Sequence, residues 1–330
     1  MKKVIALSLT LILALSIFSG CTGGSGGVKT GLAVLTSLSS SKSAETEKDG
    51  LAQIDSTIVA VTVDAGGKIL DCVIDAAQTK IAFTVTGDVK TTDVVTKTKN
   101  ELGAAYNMKS KSSIGKEWNE QAQALADYVV GKNVSQVKAI AVGEKGEPTG
   151  SDLKSSVTIS IKGYVNAIEQ AVNNAKDLGA GKKDTITVGT VTDIGNSVSV
   201  TEAKPGLAQA YSTYAAITKN ADGKITSSII DASQGGVEFD ATGKITTDLT
   251  KAVKTKNEIG DAYGMKSKSN IGKEWYEQAA SFANYVKGKT AAEVKAIAVG
   301  EDGKPTGSDL KSSVTIGVGD FITAVEKAAK

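Results

Sequence analysis

The chain has 330 residues, enough for one large domain or two of ordinary size, with 41% apolar and 5% aromatic residues and a formal net charge of +2. It contains no His and no Arg, and only two Cys. That excludes His-based catalytic constellations, His-ligated zinc and haem, bidentate Arg clamps and Cys-held clusters. The near-neutral balance, without a basic run, also speaks against nucleic acid as a partner.

The chain opens with Met1-Lys-Lys3, a 14-residue apolar run over 4–17, and Phe18-Ser-Gly-Cys21. Fourteen positions are too few for a comfortable membrane span, and small residues before a Cys at the end of such a run resemble the bacterial lipobox. The expectation is a lipoprotein signal peptide over 1–20, Cys21 as the lipidated residue held by membrane lipid, and a Gly/Ser/Thr-rich tether over 21–27. Cys72 is then the one thiol left free, and its strand-like surroundings predict a small buried hydrophobe.

Period-2 alternation over Thr57–Val63, a turn at Ala65-Gly-Gly67 and a returning run over Lys68–Ala76 predict a hairpin, with a third apolar stretch at Ile81–Val85. The period then lengthens. Trp118, Ala122, Leu125 and Val129 stand at helical spacing, which predicts a helix over Gly115–Val130 with one buried stripe, closed by Gly131. Val137–Val142 reads as a strand and Gly143–Gly150 as a loop. Ile161, Tyr164, Val165, Ile168 and Val172 mark a last helix with an apolar face.

Most of this returns at an offset of 156 to 157 residues. Gly50-Leu-Ala-Gln recurs as Gly206-Leu-Ala-Gln, and Lys109-Ser-Lys-Ser-Ser-Ile-Gly-Lys-Glu-Trp118 as Lys266-Ser-Lys-Ser-Asn-Ile-Gly-Lys-Glu-Trp275. A period this long indicates a duplicated domain rather than a solenoid unit. The copies are expected over 28–175 and 184–330, joined by a solvated hinge over 176–183, each an α+β domain with antiparallel strands, a Trp-bearing helix and a C-terminal helix.

Between the loop and the last helix each copy carries an identical heptapeptide, Asp152-Leu-Lys-Ser-Ser-Val-Thr158 and Asp309-Leu-Lys-Ser-Ser-Val-Thr315. A hydroxyl residue before an apolar helical period is commonly an N-cap. It is also a place where an anion can be held, since unpaired backbone N–H groups gather at a helix start. A cap needs one suitable residue, whereas seven are repeated here.

The heptapeptide resembles the Asp-x-x-Ser-Gly-Ala-Thr motif of the FMN-binding domain of covalent flavoproteins associated with sodium-pumping and Rnf-type redox complexes. It matches at Asp152, Ser155 and Thr158 and at Asp309, Ser312 and Thr315, with Ser-Val in place of Gly-Ala. The family's Thr-Pro-Gly-Leu-Gly loop, which approaches the flavin, resembles Ser112-Ser-Ile-Gly115 and Ser269-Asn-Ile-Gly272. With its lipobox and duplication the chain looks like the flavinylated surface lipoproteins of Gram-positive extracellular electron transfer.

The resemblance implies two tandem FMN-binding-like domains, with two FMN groups esterified to Thr158 and Thr315 by a separate flavin transferase. Asp152, Ser155, Asp309 and Ser312 would position the site, and Gly115 and Gly272 would let backbone approach the ring. It implies an electron carrier on the outer face of the cell membrane, taking electrons from a membrane quinone-linked dehydrogenase or quinol oxidase system to external acceptors. Flavin brings its own redox chemistry, which suits a chain without His, Arg or usable Cys. Trp118 and Trp275 are expected in the core, and Lys109, Lys111 and Lys116 on a solvated loop. The alternative is a cofactor-free surface lipoprotein in which the duplicated domain binds a ligand or protein and the motif is a cap.

Overall fold

The computed structural model describes residues 27–330 except residue 93. The lipobox and Cys21 lie outside the described residues, as does the tether apart from Gly27. The strands are β1 (Lys29–Ser37), β2 (Gly50–Val63), β3 (Ile69–Phe83), β4 (Val89–Lys90), β5 (Thr185–Asp193), β6 (Gly206–Lys219) and β7 (Ile225–Phe239). The α-helices of the first half are α1 (Lys99–Leu102), α2 (Trp118–Val129), α3 (Val134–Lys138), α4 (Ser151–Lys154) and α5 (Lys162–Asn173). Those of the second are α6 (Lys256–Ile259), α7 (Trp275–Tyr285), α8 (Ala291–Lys295), α9 (Ser308–Lys311) and α10 (Gly319–Ala329).

The fold is mixed α and β, with two antiparallel sheets in the orders β1-β2-β3-β4 and β5-β6-β7. The two sequence copies carry matching ladders: Cys72 faces Val61 where Ser228 faces Ile217, so Ser228 is the counterpart of Cys72. Both faces of the first sheet are buried. Val59, Val61, Val63, Cys72 and Ile74 pack under α2 and α5, while Ile58, Ala60, Leu32 and Val34 meet Ile186, Tyr214 and Ala216 of the second sheet. The layers therefore run helix, sheet, sheet, helix.

Glycine sets the spacing of the outer layers. A Cβ on Gly31 would stand 1.9 Å from the carbonyl oxygen of Ala171, and one on Gly189 would stand 2.0 Å from that of Ala324. The last helix of each half can thus lie directly on the first strand. Between the sheets, Phe83 and Phe239 stack at 4.0 Å with 8° between their planes. Three polar pairs cross or flank this interface: Thr30 with Ser227 at 2.7 Å, Tyr214 with Ser56 at 3.1 Å, and Asp71 accepting from the Ile186 N–H at 3.1 Å. Lys327 reaches Glu101 across the halves at 2.7 Å.

Three expectations are corrected or refined. The segment 176–183 is solvated as expected, with Lys176, Asp177, Gly179, Lys182 and Lys183 exposed, but it is tied to both sheets rather than free: Lys176 pairs with Thr30, Ala180 is fully buried, and a Cβ on Gly179 would stand 2.8 Å from the Thr226 carbonyl. Val137–Val142 is not a strand, because Asn133 and Gln136 form a capping box that starts α3 and carries Val137 into the helix. The runs Lys68–Ala76 and Ile81–Val85 belong largely to one strand, β3, and β1 precedes them.

Candidate functional site

Neither threonine is a helix cap. The caps of α5 and α10 are Ile161 and Val318, three residues beyond Thr158 and Thr315. The heptapeptide instead makes one turn of helix, α4 or α9, whose Leu153 or Leu310 is buried, followed by Val157 or Val314, also buried. These two apolar anchors fix the short segment that ends on the threonine, which is itself partly exposed.

What holds the threonine is a glutamine. Gln121 lies fully buried on α2, and its Oε1 accepts from the Thr158 N–H at 2.8 Å and the Thr158 Oγ1 hydroxyl at 3.2 Å. Its Nε2 donates to Ser112 Oγ at 3.2 Å and to the Lys116 carbonyl at 3.3 Å. The second half repeats this with Gln278, which accepts from Thr315 N–H at 2.8 Å and Oγ1 at 3.3 Å, and donates to Ser269 Oγ and the Lys273 carbonyl at 3.3 Å. A backbone donor on one side and a backbone carbonyl on the other fix which end of the amide points to the threonine. One side chain thus brings together the two segments singled out in the sequence, the Ser112–Gly115 loop and the heptapeptide.

A buried carboxylate shapes the loop. Glu117, one residue before α2, accepts from the N–H groups of Met108 and Lys109 at 2.9 and 3.0 Å; Glu274 does the same for Met265 and Lys266 at 2.9 and 2.8 Å. The loop ends on Gly115 or Gly272, each at φ +61°, where a Cβ would meet nothing within 4 Å. The positive φ explains the glycine, and the open space above it is available to a ligand.

In the second half Gln278, Ser269 and Thr315 border a cleft of about 480 Å³ that is also lined by Tyr263, Met265, Lys268 and Lys304, among others. Behind Tyr263 stands Lys256, buried, its Nζ 4.6, 4.7 and 5.0 Å from the rings of Tyr211, Tyr263 and Trp275. Burial lowers its pKa to about 8, against the opposing pull of Asp231. Trp118 and Trp275 are in the core as expected, at 2% and 3% exposure. Lys109, Lys111, Lys266 and Lys268 are exposed, whereas Lys116 and Lys273 are partly covered.

The expected positioning carboxylates and serines do not reach the threonines. Asp152 accepts from the Tyr128 hydroxyl at 2.8 Å, and Asp309 from Ser308 at 3.2 Å. Ser155 and Ser312 are exposed residues closing the short helices, and among the described residues no hydrogen bond joins them to Thr158 or Thr315. Cys72 is buried, and burial together with Asp71 and Asp127 pushes its thiol well above the usual range. It offers no thiolate at neutral pH.

No protein-family model matches the chain, and no solved structure does. A stretch of 41 residues is 58% identical to a chlorophenol reductase of Desulfitobacterium hafniense. It covers 12% of this chain and 12% of that protein, so the match speaks for a short shared segment and not for a shared activity. Among the described residues no helix is long and apolar enough to cross a membrane.

Proposed function

We propose that the protein is an electron carrier of two tandem FMN-binding-like domains, each with one FMN joined through its phosphate to Thr158 or Thr315. The observation that carries this reading is the glutamine-held threonine: a partly exposed residue whose hydroxyl is held by a buried amide. Around it in the second half lie two lysines for a phosphate and Tyr263 and Met265 for an aromatic ring. This donor set fits a phosphorylated aromatic group.

The chain's own contribution is binding and orientation. Gln121 and Gln278 receive the hydroxyl proton in a hydrogen bond, which turns the lone pairs of Oγ1 away from the amide. An amide is no base, so the proton must leave to a group outside this chain. In the ester-forming step the Oγ1–phosphorus bond forms as the phosphorus bond to the leaving group of an activated flavin nucleotide breaks, on a separate flavin transferase. The flavin, once joined, supplies the redox chemistry.

The two threonines sit in opposite outer layers of a four-layer molecule, on the order of 30 Å apart from layer spacings of about 10 Å. Each domain therefore exchanges electrons with partners on its own side. A membrane quinone-linked dehydrogenase is the proposed donor and an external acceptor the destination, with the chain held at the outer membrane face by lipid on Cys21.

Protein made with its secretion and flavin-transferase machinery should be yellow and heavier than the bare chain by two FMN less two waters. Thr158→Ala and Thr315→Ala should each remove one unit. A colourless product of bare mass from a competent host would favour the rival reading, a cofactor-free binding module.

A further inference from the structure

A second cleft, of about 840 Å³, opens where the halves meet, between β1 and the chain leaving α5 on one side and β7, α6 and α7 on the other. The carboxylates of Asp231, Glu258 and Asp261 border it, against one cation, Lys176, which forms an ion pair with none of them among the described residues. Asp231 is occupied by the N–H groups of Ala232 and Asn257 at 2.8 and 3.0 Å, and Asp261 by the Tyr276 hydroxyl at 3.1 Å. Glu258 uses Oε2 to accept the Thr255 N–H at 2.8 Å, and its Oε1 has no partner among the described residues.

The backbone of β1 adds a carbonyl. In an antiparallel strand the N–H and C=O of successive residues turn to alternate sides. Those of Thr30, Leu32 and Thr36 turn away from β2, because Thr30 bonds Lys176, the Leu32 carbonyl accepts the Asn174 amide and the Thr36 carbonyl accepts the Val253 N–H. Val34 has the same phase and borders the cleft, so its carbonyl turns to it, and among the described residues nothing donates there. Ser228 also borders the cleft. It is 5% exposed, and its Oγ has no hydrogen-bond partner among the described residues.

The other half shows what such a pair of acceptors holds. Val34 faces Ile58 in its ladder where Thr190 faces Tyr214, and Glu258 closes the capping box of α6 where Glu101 closes that of α1. Gln170 and Lys327 each stand twelve residues after the site threonine of their half. The Lys327 ammonium donates to the Thr190 carbonyl at 2.8 Å and pairs with Glu101 Oε1 at 2.7 Å, while Glu101 Oε2 accepts the Thr98 N–H at 2.8 Å. Gln170 carries no charge and does not border the cleft. The same acceptors therefore stand without their ammonium, and Ser228 replaces Cys72 beside them.

We propose that this cleft binds a primary ammonium carried on an alkyl chain, held by Glu258 Oε1 and the Val34 carbonyl as Lys327 is held by Glu101 and Thr190, with Ser228 as a further acceptor. Ile229, Ala280 and Ala283 supply apolar surface for the chain. The site is independent of the threonines and of the flavin reading.

Isotope-labelled full chain is titrated with n-butylammonium, the lysine side chain without its backbone, and followed by NMR. The amide signals of Val34, Leu35, Glu258 and Asp261 should shift saturably. In the same range n-butanol, which lacks the charge, and tetramethylammonium, which lacks the N–H groups, should produce no saturable shift. Glu258→Gln keeps an acceptor for the Thr255 N–H, so its melting curve should match the parent while n-butylammonium binds about tenfold more weakly. Ser228→Cys, the residue of the other half, should weaken binding about threefold. Gln170→Lys supplies a tethered ammonium from α5 and should shut out n-butylammonium without lowering the melting temperature. Tighter binding of acetyl-lysine methylamide than of n-butylammonium would name a protein side chain as the source of the ammonium, and the reverse a free amine; both keep the site. No saturable shift at those amides, equal binding of n-butanol, or an unchanged affinity in Glu258→Gln would overturn the proposal.

Discussion

A single oxygen of Gln121 receives both the backbone N–H and the hydroxyl of Thr158, at 2.8 and 3.2 Å. The other end of the same amide is tied to Ser112 and to the Lys116 carbonyl. The threonine is thus positioned from a rigid helix rather than by its own loop, which is the support a site with fixed geometry needs.

Replacing Gln278 by Leu keeps the volume but strands the Thr315 N–H and the Lys273 carbonyl. The cost expected is about 1–3 kcal/mol for the unsatisfied groups, read from urea denaturation. The mass adduct on Thr315 should fall while that on Thr158 persists. Gln278→Glu, which still accepts from the threonine, should restore part of it.

This residue also marks where the sequence stopped being readable. The stripe of Trp118, Ala122, Leu125 and Val129 was legible because apolar side chains at helical spacing have one reason to be there. Gln121 interrupts that stripe, and a polar residue on an apolar face gives no indication of its partner. Its recurrence as Gln278, three residues after the second Trp, was the available signal. The long strands were read too short because both sheet faces are buried. Ser56, Thr62, Thr30 and Ser227 sit inside the interface, and small hydroxyl residues there blur the alternation that a one-sided sheet would show. The exposure of the linker was legible in its Gly and Lys residues, but its anchoring was not, because Thr30 and Thr226 on other strands decide where it packs.

The phenyl rings of Phe83 and Phe239 couple the halves. Phe239→Ala should cost about 3–5 kcal/mol, as for other large-to-small changes in a core. Trp118 and Trp275 each report on one half, so Trp118→Phe and Trp275→Phe backgrounds allow them to be followed separately. The parent should lose both signals at one denaturant concentration. Phe239→Ala should separate the two transitions.

Two buried carboxylates set a pH dependence. Burial pushes Asp75 up to about 6 and Asp231 up to about 7, although backbone N–H groups of Asn100 and Ala76, and of Asn257 and Ala232, oppose it. A raised folded-state pKa means the native chain binds more protons than the unfolded one. The stability is then full below about pH 4 and is lost as pH rises through 6 to 7, by at most about 1.4 kcal/mol per pH unit for each group. Asp231→Asn preserves an acceptor for both N–H groups and cannot ionise. Urea midpoints measured across this range should fall with pH in the parent and flatten in the variant.

Gly272 separates a turn requirement from a ligand requirement. At φ +61° an alanine pays about 1–2 kcal/mol for the left-handed backbone, but its Cβ meets no protein atom within 4 Å, so no packing penalty is added. Gly272→Ala should therefore fold, with a denaturation midpoint lowered by that amount. If the space above the glycine is where a ring lies against backbone, the methyl intrudes on the ligand and not on the protein. The adduct on Thr315 should then drop by more than the loss of stability accounts for, with Thr158 as the internal reference. An unchanged ratio of the two adducts in the folded variant would assign Gly272 to the turn alone.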